Sequence, residues 1–252
     1  MVKLEKNVYA SLKGTIRLEL LSRDISEYCA HFSGSRPEHC LTVLDVGGGS
    51  GRFARLCAEK GHKVTLCDIS KEMLSLAASA NGGADYAHGI ELLEADFLDK
   101  TFGVAESVDL VLMHGSAEWM ADPQAAIKKA ISCIKPGGYL SLLIFNKDRS
   151  MLKRGINGLL LEGEQAPLRN KLTPPGAASP HDICDVLAKY KGRIVLQSGI
   201  RIFQGFFRQV DQGLLTPEQW LEQELQYYRQ KPFSSLGEHT HFIWQADGAC
   251  SK

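Results

Sequence analysis

The chain has 252 residues, and its 29 basic side chains balance its 29 acidic ones. This length suits one large α/β domain, and 44% hydrophobic with 23% charged residues is typical of a globular protein. A neutral chain does not coat nucleic acid or anionic membrane by charge excess alone. The neutrality is a cancellation, because the net charge is +1 over residues 1–40, −4 over 41–146 and +3 over 147–252.

Neither the apolar runs nor the cysteines indicate a membrane protein or a disulfide framework. No run approaches the roughly 18 apolar residues of a membrane helix, and residues 1–14 lack the apolar centre of a signal peptide. The seven cysteines are odd in number, scattered, and form no Cys-x-x-Cys pair. We therefore expect reduced thiols in a cytoplasmic protein without a membrane partner.

The hydrophobic pattern predicts alternating helices and strands. A first helix is predicted over residues 15–33, before Gly34. The following elements are predicted in this order: strand 41–46, helix 52–60, strand 63–68, helix 71–80, strands 90–95 and 108–113, helix 123–134 and strand 139–146. Strands that are apolar on both faces and alternate with helices indicate an α/β fold, with a doubly wound parallel sheet.

The second half of the chain is less regular. Residues 147–180 are rich in glycine, proline and basic residues, which predicts a partly irregular lid or binding insertion. The remaining predicted elements are helix 181–190, strand 193–204, helix Pro217–Arg229 and strand 239–244. We expect one domain over residues 1–252, with a cofactor-binding core at 41–146 and substrate-binding insertions at 147–180 and 205–236.

A glycine-rich turn follows the first strand directly and opens a helix. It contains Asp45, Gly47, Gly48, Gly49 and Gly51. Small residues let the backbone approach a ligand closely, and the helix N-terminus offers unpaired N–H groups. The turn has neither the lysine of a phosphate-binding loop nor the G-x-G-x-x-G spacing of a dinucleotide site.

An acidic residue accompanies this turn at the end of the second strand. Asp68 lies 23 residues after Asp45, where a carboxylate can accept hydrogen bonds from both hydroxyls of a ribose. The alternative is that Asp68 only caps the next helix. The pattern therefore predicts a nucleotide-like cofactor at this turn.

Three segments resemble class I S-adenosylmethionine-dependent methyltransferases. The pattern Asp-x-Gly-x-Gly-x-Gly, from Asp45 to Gly51, resembles their motif I. Residues 108–120 resemble their fourth strand and the loop after it, and residues 135–138 (Lys-Pro-Gly-Gly) resemble the turn before their fifth strand. The resemblance implies a Rossmann-like sheet of seven mostly parallel strands, helices on both faces, an antiparallel last strand near 239–246, and S-adenosylmethionine as cofactor.

The resemblance also implies the cofactor contacts. Asp45 and the glycine turn would line the cofactor, and Asp68 would hold its ribose. The end of the third strand would meet the adenine, and His114 would lie near the methionine end, through its side chain or its carbonyl. Together with Arg17, which a resemblance in the flanking segments adds, the implied cofactor-binding residues are Arg17, Asp45, Gly47, Gly48, Gly49, Asp68, Glu94, Ala95, Asp96 and His114.

The flanks resemble the bacterial tRNA 5-carboxymethoxyuridine methyltransferases. The resembling stretches are 7–9 with Lys13, Gly14 and Arg17; 199–203 with Arg208; and 228–230 with Pro232, Leu236 and Gly237. The family esterifies the carboxylate of a modified wobble uridine, so the implied partner is the anticodon loop of tRNA. Its pattern places Arg17 against the cofactor's carboxylate. Residues 168–172 hold only two basic residues where the family carries a lysine-rich run.

The substrate carboxylate needs a cationic partner, and a guanidinium can bind it with two hydrogen bonds. Arg201 is the first choice because it lies in a strand-like stretch that resembles the family. A structural ion pair is the alternative, and Arg17 and Arg201 can also have exchanged roles. Tyr9 and Trp119 are candidate surfaces for stacking on the base, with simple packing as the alternative. Arg201 and Tyr9 are therefore the candidate catalytic residues. We expect no metal, because His239 and His241 are better explained as polar strand residues.

A basic segment at residues 186–210 contains no acidic residue. Its members are Lys189, Lys191, Arg193, Arg201 and Arg208. Together with the basic residues of 147–171, it is predicted to meet tRNA phosphates, with a solvated surface as the alternative. Two further functions stay open, namely a methyltransferase for a small molecule and a non-catalytic, adenosylmethionine-binding interaction module. The turn at 135–138 disfavours a nicotinamide-dependent oxidoreductase.

Overall fold

The computed structural model describes residues 12–33, 40–81, 89–100, 102, 108–156, 158, 174–204 and 215–248. Seven strands in these ranges form one sheet: β1 (Thr42–Val46), β2 (Lys63–Asp68), β3 (Ile90–Glu94), β4 (Val108–His114), β5 (Ile134–Phe145), β6 (Gly192–Ile200) and β7 (His239–Ala246). The α-helices of the same ranges are α1 (Leu12–Tyr28), α2 (Arg52–Glu59), α3 (Lys71–Asn81), α4 (Pro123–Ser132), α5 (Lys147–Ile156), α6 (Pro180–Leu187) and α7 (Pro217–Tyr227). Single 3-10 turns occupy Ala117–Trp119 and Phe233–Ser235.

The strand order in the sheet is β3-β2-β1-β4-β5-β7-β6. Strands β1 to β5 are parallel, whereas β7 is antiparallel to both β5 and β6. This arrangement confirms the predicted fold class. The order reverses between β1 and β4, and in such sheets ligands bind in the crevice at the carboxyl ends of the strands on either side of that point.

Helices cover both faces of the sheet, as predicted. One face packs a cluster of apolar side chains from α1, α2, α3 and α7, including Ile16, Leu20, Phe53, Leu74 and Trp220. The other face packs side chains from α4 and α6, including Ile127, Ile183 and Leu187. Alternate residues of β7 serve the two clusters, since Ile243 faces the first and Phe242 and Trp244 face the second.

Local signals explain the helix starts. The Asp122 side chain accepts a hydrogen bond from the Ala125 amide at the start of α4, where proline occupies the first helical position. Reciprocal capping boxes begin α6 and α7, at Ser179 with Asp182 and at Thr216 with Gln219. The predicted starts of α4, α6 and α7 therefore agree with the observed starts within one residue.

The largest differences from prediction concern two helices and two strands. Helix α1 runs over Leu12–Tyr28 instead of 15–33. Strand β5 begins at Ile134 instead of 139, because Ile134 already pairs with Val108 of β4 ahead of the turn at Gly137 and Gly138. Residues 147–156 form the helix α5, although an irregular segment was predicted there. Strand β6 ends at Ile200 because Arg201 adopts a left-handed backbone with φ 62°.

No helix among the described residues is long and apolar enough to cross a membrane.

Candidate cofactor and substrate site

The glycine turn joins the end of β1 to the loop after β4. The Gly47 amide donates to the Cys67 carbonyl at 2.7 Å, and the Ser116 hydroxyl donates to the Val46 carbonyl at 2.7 Å. Gly47 has φ 66°, and a Cβ placed on it would lie 2.5 Å from the Ser116 Cβ. Both the left-handed backbone and the close approach therefore require glycine here.

Asp45 lies under this turn as a buried carboxyl group. It is 2% exposed, and its Oδ2 has no hydrogen-bond partner among the described residues. A Cβ on Gly48 would lie 2.5 Å from that Oδ2. Burial, and then the charge of Asp68, raise the pKa of Asp45 to about 7. A buried acceptor beside a backbone cradle suits a ligand that carries hydrogen-bond donors.

Asp68 connects the glycine turn to the next helix. Its Oδ2 accepts from the Gly49 amide at 2.9 Å, and its Oδ1 accepts from the Ser70 amide at 2.8 Å. The bond from the Ser70 amide is a helix-capping contact, which was the alternative role predicted for Asp68. The first contact places the carboxylate against the turn, so its role in holding a ribose stays a prediction.

The acidic end of β3 lies beside Asp68. Glu94 is in register with Asp68, and the Ala95 amide donates to the Asp68 carbonyl at 3.2 Å. The Glu94 and Asp96 side chains are exposed at this edge of the sheet. The structure thus brings residues 94–96 to the same edge as the glycine turn, while their adenine contact remains a prediction.

His114 ends β4, which pairs with β1, the strand before the glycine turn. Its Nε2 hydrogen bonds to the Ser141 hydroxyl at 2.8 Å, and its ring lies 4.5 Å from the Phe53 ring. Burial, followed by repulsion from His241 and Arg17, holds the pKa of His114 well below its usual range. The ring is therefore neutral at pH 7, and its buried Nδ1 has no partner among the described residues.

Arg17 and Arg201 both lie near the start of β7. The Arg17 guanidinium donates to His239 Nε2 at 2.9 Å. Arg201 is buried, pairs with Glu238 at 2.5 Å, and donates to the Gln204 side chain at 3.1 Å. The ion pair that was the alternative for Arg201 is therefore present, and its contact with substrate stays a prediction.

Arg149 and Lys153 of α5 extend this cluster, and both belong to the basic residues of 147–171 that were predicted to meet tRNA phosphates. Burial lowers the pKa of Arg149 to about 10; attraction by Glu238 offsets part of this effect, whereas repulsion from Arg201 adds to it. Burial, and repulsion from Arg149, also lower the pKa of Lys153. The i,i+4 spacing of Arg149 and Lys153 would place both side chains on one face of a helix, but the segment was not predicted to be helical. Three cations thus interact with Glu238, namely Arg149, Lys153 and Arg201, and Arg17 is near enough to repel Arg201. This cluster suits an anionic ligand.

One residue that the sequence did not single out is Glu118, in the 3-10 turn after β4. It is 2% exposed, and its Oε1 accepts from the Phe145 amide at 3.2 Å. Its Oε2 has no partner in the described part of the chain, and burial raises its pKa. The neighbouring Trp119 is 53% exposed, as a stacking surface requires. Tyr9, the other candidate, lies outside the described residues.

The basic segment at 186–210 does not form one surface. Lys189, Lys191 and Arg193 are exposed near the start of β6. Arg201 is buried beyond the other end of that strand, about 26 Å from Arg193 at 3.3 Å per residue. The prediction that these residues share one face is wrong for the described members, and Arg208 lies outside the described ranges.

His239 and His241 face the same side of β7, but they bind different partners. His239 bonds Arg17, whereas His241 bonds Asp24 and Ser141. Within the part of the chain that the structure describes, no three His, Cys, Asp or Glu side chains are grouped to hold a metal ion.

Comparisons with known proteins agree with this architecture. The sequence profile of a family described as a methyltransferase domain matches residues 44–142. A methyltransferase dependent on S-adenosylmethionine from Archaeoglobus fulgidus superposes with a TM-score of 0.59 at 16% identity, covering 97% of this chain and 98% of that one. The cyclase SpnF superposes with a TM-score of 0.61 at 16% identity, covering 92% and 81%. These likenesses concern the fold.

Sequence relatives narrow the assignment. The ubiquinone/menaquinone biosynthesis C-methyltransferase of Vibrio vulnificus is 30% identical, over 46% of this chain and 44% of that protein. The fold and the glycine turn are those of class I methyltransferases, whose cofactor is S-adenosylmethionine. The tRNA 5-carboxymethoxyuridine methyltransferase of Escherichia coli is 30% identical over 95% of this chain and 91% of that protein, and this chain belongs to its family.

The observed residues fit this cofactor. The Oδ2 atom of Asp45 is a buried acceptor without a partner in the described structure. The adjoining turn has no side chain at Gly48, where a Cβ would collide with that oxygen. S-adenosylmethionine carries donors in its ammonium and hydroxyl groups and an anionic carboxylate. The donors match Asp45 and Asp68, and the carboxylate matches the cationic side chain of Arg17.

Proposed function

We propose that this chain methylates the carboxylate of 5-carboxymethoxyuridine at the wobble position of tRNA and forms the methyl ester. The observation that carries the proposal is the cationic cluster of Arg17, Arg149, Lys153 and Arg201 beside the carboxyl edge of the sheet. A substrate whose reacting group is a carboxylate carries the charge opposite to that of this cluster. The Escherichia coli relative, a tRNA 5-carboxymethoxyuridine methyltransferase, supports the same substrate. A tRNA substrate would place the protein in the cytoplasm.

The site residues divide into two groups in this proposal. Asp45, the turn 47–49, Asp68, residues 94–96 and His114 bind the cofactor, with Arg17 on its carboxylate. Arg201 binds the substrate carboxylate, and Tyr9 and Trp119 stack on the base. When bound, the cofactor supplies an electrophilic methyl group.

The protein's task is then to position and desolvate the reacting carboxylate. A carboxylate is already ionised at neutral pH, so no general base is needed. Proximity and orientation contribute about 7–11 kcal/mol in favourable cases. A buried guanidinium binds a carboxylate by charge-assisted hydrogen bonds, which are about twice as strong as neutral ones. Arg201 therefore acts by holding one oxygen while the other is left to react.

The substrate surface includes the two insertions in this proposal. Helix α5, from the first insertion, adds Lys147 and Arg154 to Lys153 of the cationic cluster, and Lys13 of α1 is near enough to repel Lys153. These residues replace the distant Lys189 and Lys191 as the proposed phosphate contacts. Helix α7, from the second insertion, supports the chain next to Arg201.

Substitution of Arg201 tests the assigned role. Arg201→Ala should bind S-adenosylmethionine as the wild type does but lose methyl transfer to tRNA by at least about a hundredfold, because a buried carboxylate loses its partner. The double variant R201A/E238Q also removes the charge left on Glu238, and it should remain inactive. Arg193→Ala, at the exposed far end of β6, is the matched control. Transfer near the wild-type rate by R201A/E238Q would contradict the role.

Nucleoside mass spectrometry of cellular tRNA tests the substrate. A strain lacking this protein should accumulate the unesterified 5-carboxymethoxyuridine, and the wild-type chain should restore the methyl ester. Unchanged ester in the deletion strain would contradict the proposal. Turnover of a small carboxylic acid without any tRNA product would instead favour the small-molecule methyltransferase.

A further inference from the structure

His239 is a buried histidine at the carboxyl edge of the sheet, beside two arginines of the candidate site. It begins β7 and pairs with Phe145, the last residue of β5, so it lies where the parallel strands end. The residue is 8% exposed, and the Phe145 ring lies 5.6 Å from its ring. Arg17 and Arg201 are both near enough to repel its charged form. His239 therefore belongs to the site, where the sequence indicated only a polar strand residue.

The contact with Arg17 fixes the protonation state of His239. The Arg17 guanidinium lies 2.9 Å from the His239 Nε2. A guanidinium only donates hydrogen bonds and keeps its protons in proteins, so Nε2 must supply the lone pair of this bond. His239 is therefore neutral, and its single ring proton is on Nδ1. Burial, and then repulsion from Arg17 and Arg201, hold the pKa of His239 well below its usual range, in agreement with this state.

The remaining N–H group of His239 has no acceptor in the described structure. Its Nδ1 is buried and makes no hydrogen bond to the described residues. A buried donor without a partner costs free energy, and such groups are rare in native proteins. Because the two nitrogens of an imidazole point to different sides of the ring, this N–H points away from Arg17. The arrangement leaves one oriented donor for a ligand.

The charges around this donor favour an anionic acceptor. Arg201 pairs with Glu238, and Arg17 is bonded to His239 itself, so both guanidinium groups are held in place. A position where two guanidinium groups lower the pKa of a histidine has a positive electrostatic potential. An acceptor that carries negative charge is therefore more stable there than a neutral carbonyl group.

We propose that the Nδ1–H group of His239 donates a hydrogen bond to the carboxylate of the substrate, next to the contact from Arg201. The proposal rests on the proposed function, in which the reacting group is a carboxylate. Because His239 is neutral, it orients this carboxylate without adding a further positive charge beside Arg17 and Arg201. Charge-assisted hydrogen bonds of this kind are stronger than neutral ones, and they specify a direction.

The protonation state of His239 can be measured in the wild-type protein. Long-range 1H–15N correlation spectra at neutral pH, without cofactor or substrate, should show His239 protonated at Nδ1 and unprotonated at Nε2. Comparison with the spectrum of His239→Gln, which lacks this ring, assigns the signals. A proton on Nε2, or a doubly protonated ring, would overturn the proposal.

Two amide substitutions separate the roles of the two ring nitrogens. In His239→Gln the amide lies near the position of Nε2 and can still accept from Arg17, but the donor at Nδ1 is lost. In His239→Asn the amide N–H lies near the position of Nδ1 but does not reach Arg17. At saturating cofactor, His239→Gln should lower kcat/KM for tRNA by at least about tenfold and keep the cofactor affinity within about twofold. His239→Asn should retain more methyl transfer than His239→Gln under the same conditions.

The control is His181→Gln, at an exposed histidine of α6, which should change neither quantity. Wild-type kcat/KM in His239→Gln would overturn the proposal. A loss of cofactor affinity alone would also overturn it, because the acceptor would then be the carboxylate of the cofactor.

A binding experiment with the wild-type protein keeps the proposal testable if the variants do not fold. The Nδ1 proton of His239 should move downfield when tRNA bearing 5-carboxymethoxyuridine is added together with S-adenosylhomocysteine, and an unchanged signal would overturn the proposal. If the wild type transfers no methyl group to this tRNA, the proposed function and the substrate contact that rests on it both fail. The spectra without ligands test the state of His239 independently of that outcome.

Discussion

Asp45 combines two requirements that oppose each other. In the proposed function it presents an acceptor to the cofactor, yet it is buried beside the charge of Asp68. Burial and that charge raise its pKa from 3.8 to about 7, although a hydrogen bond from the Ala54 amide lowers it in part. A carboxyl group whose pKa is higher in the folded than in the unfolded state favours folding below pH 4. That contribution is lost as the pH rises to about 7.

Substitution of this carboxyl group by an amide should remove that pH dependence. For the cofactor-free protein, Asp45→Asn should gain stability relative to the wild type as the pH rises from about 4 to 7, and the gain should then level off. Urea unfolding of both proteins across this range measures the difference. A difference in unfolding free energy that is the same at all these pH values would contradict the raised pKa. Asp96→Asn, at an exposed aspartate of the same sheet edge, is the control.

At the scale of elements, α7 fixes the path of the chain after β6. Glu224 of α7 is fully buried, and its carboxylate accepts from three consecutive backbone amides: Ile202 at 2.7 Å, Phe203 at 2.9 Å and Gln204 at 3.1 Å. These amides directly follow Arg201, whose left-handed backbone would otherwise be unfavourable. One side chain of a distant helix thus holds the turn that presents Arg201.

Removal of the Glu224 carboxylate should destabilise the fold strongly. Each buried donor left without a partner costs about 1–3 kcal/mol, so Glu224→Ala should lower the free energy of unfolding by about 3 kcal/mol or more. Glu222→Ala, at an exposed position of the same helix, should change it by less than about 0.5 kcal/mol. Denaturant unfolding compares the two variants, and similar stabilities would contradict the role given to Glu224.

At the scale of the whole molecule, the neutral total charge conceals an uneven distribution. The segment 41–146 has net charge −4, and 147–252 has +3. The structure divides the basic residues further, since one group lies beside the cationic cluster on α5 and another lies near the start of β6. If the proposed tRNA substrate is right, only the first group contacts its phosphates.

Charge reversal at the two places tests this division. Lys153→Glu, on α5, should weaken tRNA binding and reduce the slope of log affinity against log salt by about 1 or more. Lys191→Glu, at the far end of the sheet, should leave both quantities near the wild-type values. Filter binding over a range of salt concentrations provides the measurement. Equal effects of the two reversals would contradict the proposed binding surface.

Local signals made much of the fold predictable. Apolar runs and the glycine turn placed β1 to β4 within about one residue, because such strands are buried on both faces. The glycine turn also predicted that Asp45 and Asp68 lie at one site, and the structure places Asp68 close enough to raise the pKa of Asp45. By contrast, β5 begins five residues before its predicted start, since its pairing with β4 depends on a strand elsewhere in the chain.

The candidate site was only partly predictable for a related reason. His241 and Asp24 are separated by 217 residues, so their contact exists only once α1 is packed on the sheet. The ion pair of Arg201 with Glu238 likewise depends on how β6 and β7 end. Residue types and spacing identify which side chains could bind a ligand or take part in catalysis. The tertiary fold decides which of these side chains come into contact.

The central claim is ester formation on a tRNA carboxylate, and the fate of a labelled methyl group tests it most directly. The purified protein is incubated with methyl-labelled S-adenosylmethionine and tRNA bearing 5-carboxymethoxyuridine, and the product is treated with mild alkali. We predict that the label resides on the wobble nucleoside and that alkali releases it, because an ester hydrolyses whereas N-methyl and C-methyl groups do not. Label that resists alkali, or that resides on another nucleoside, would contradict the account.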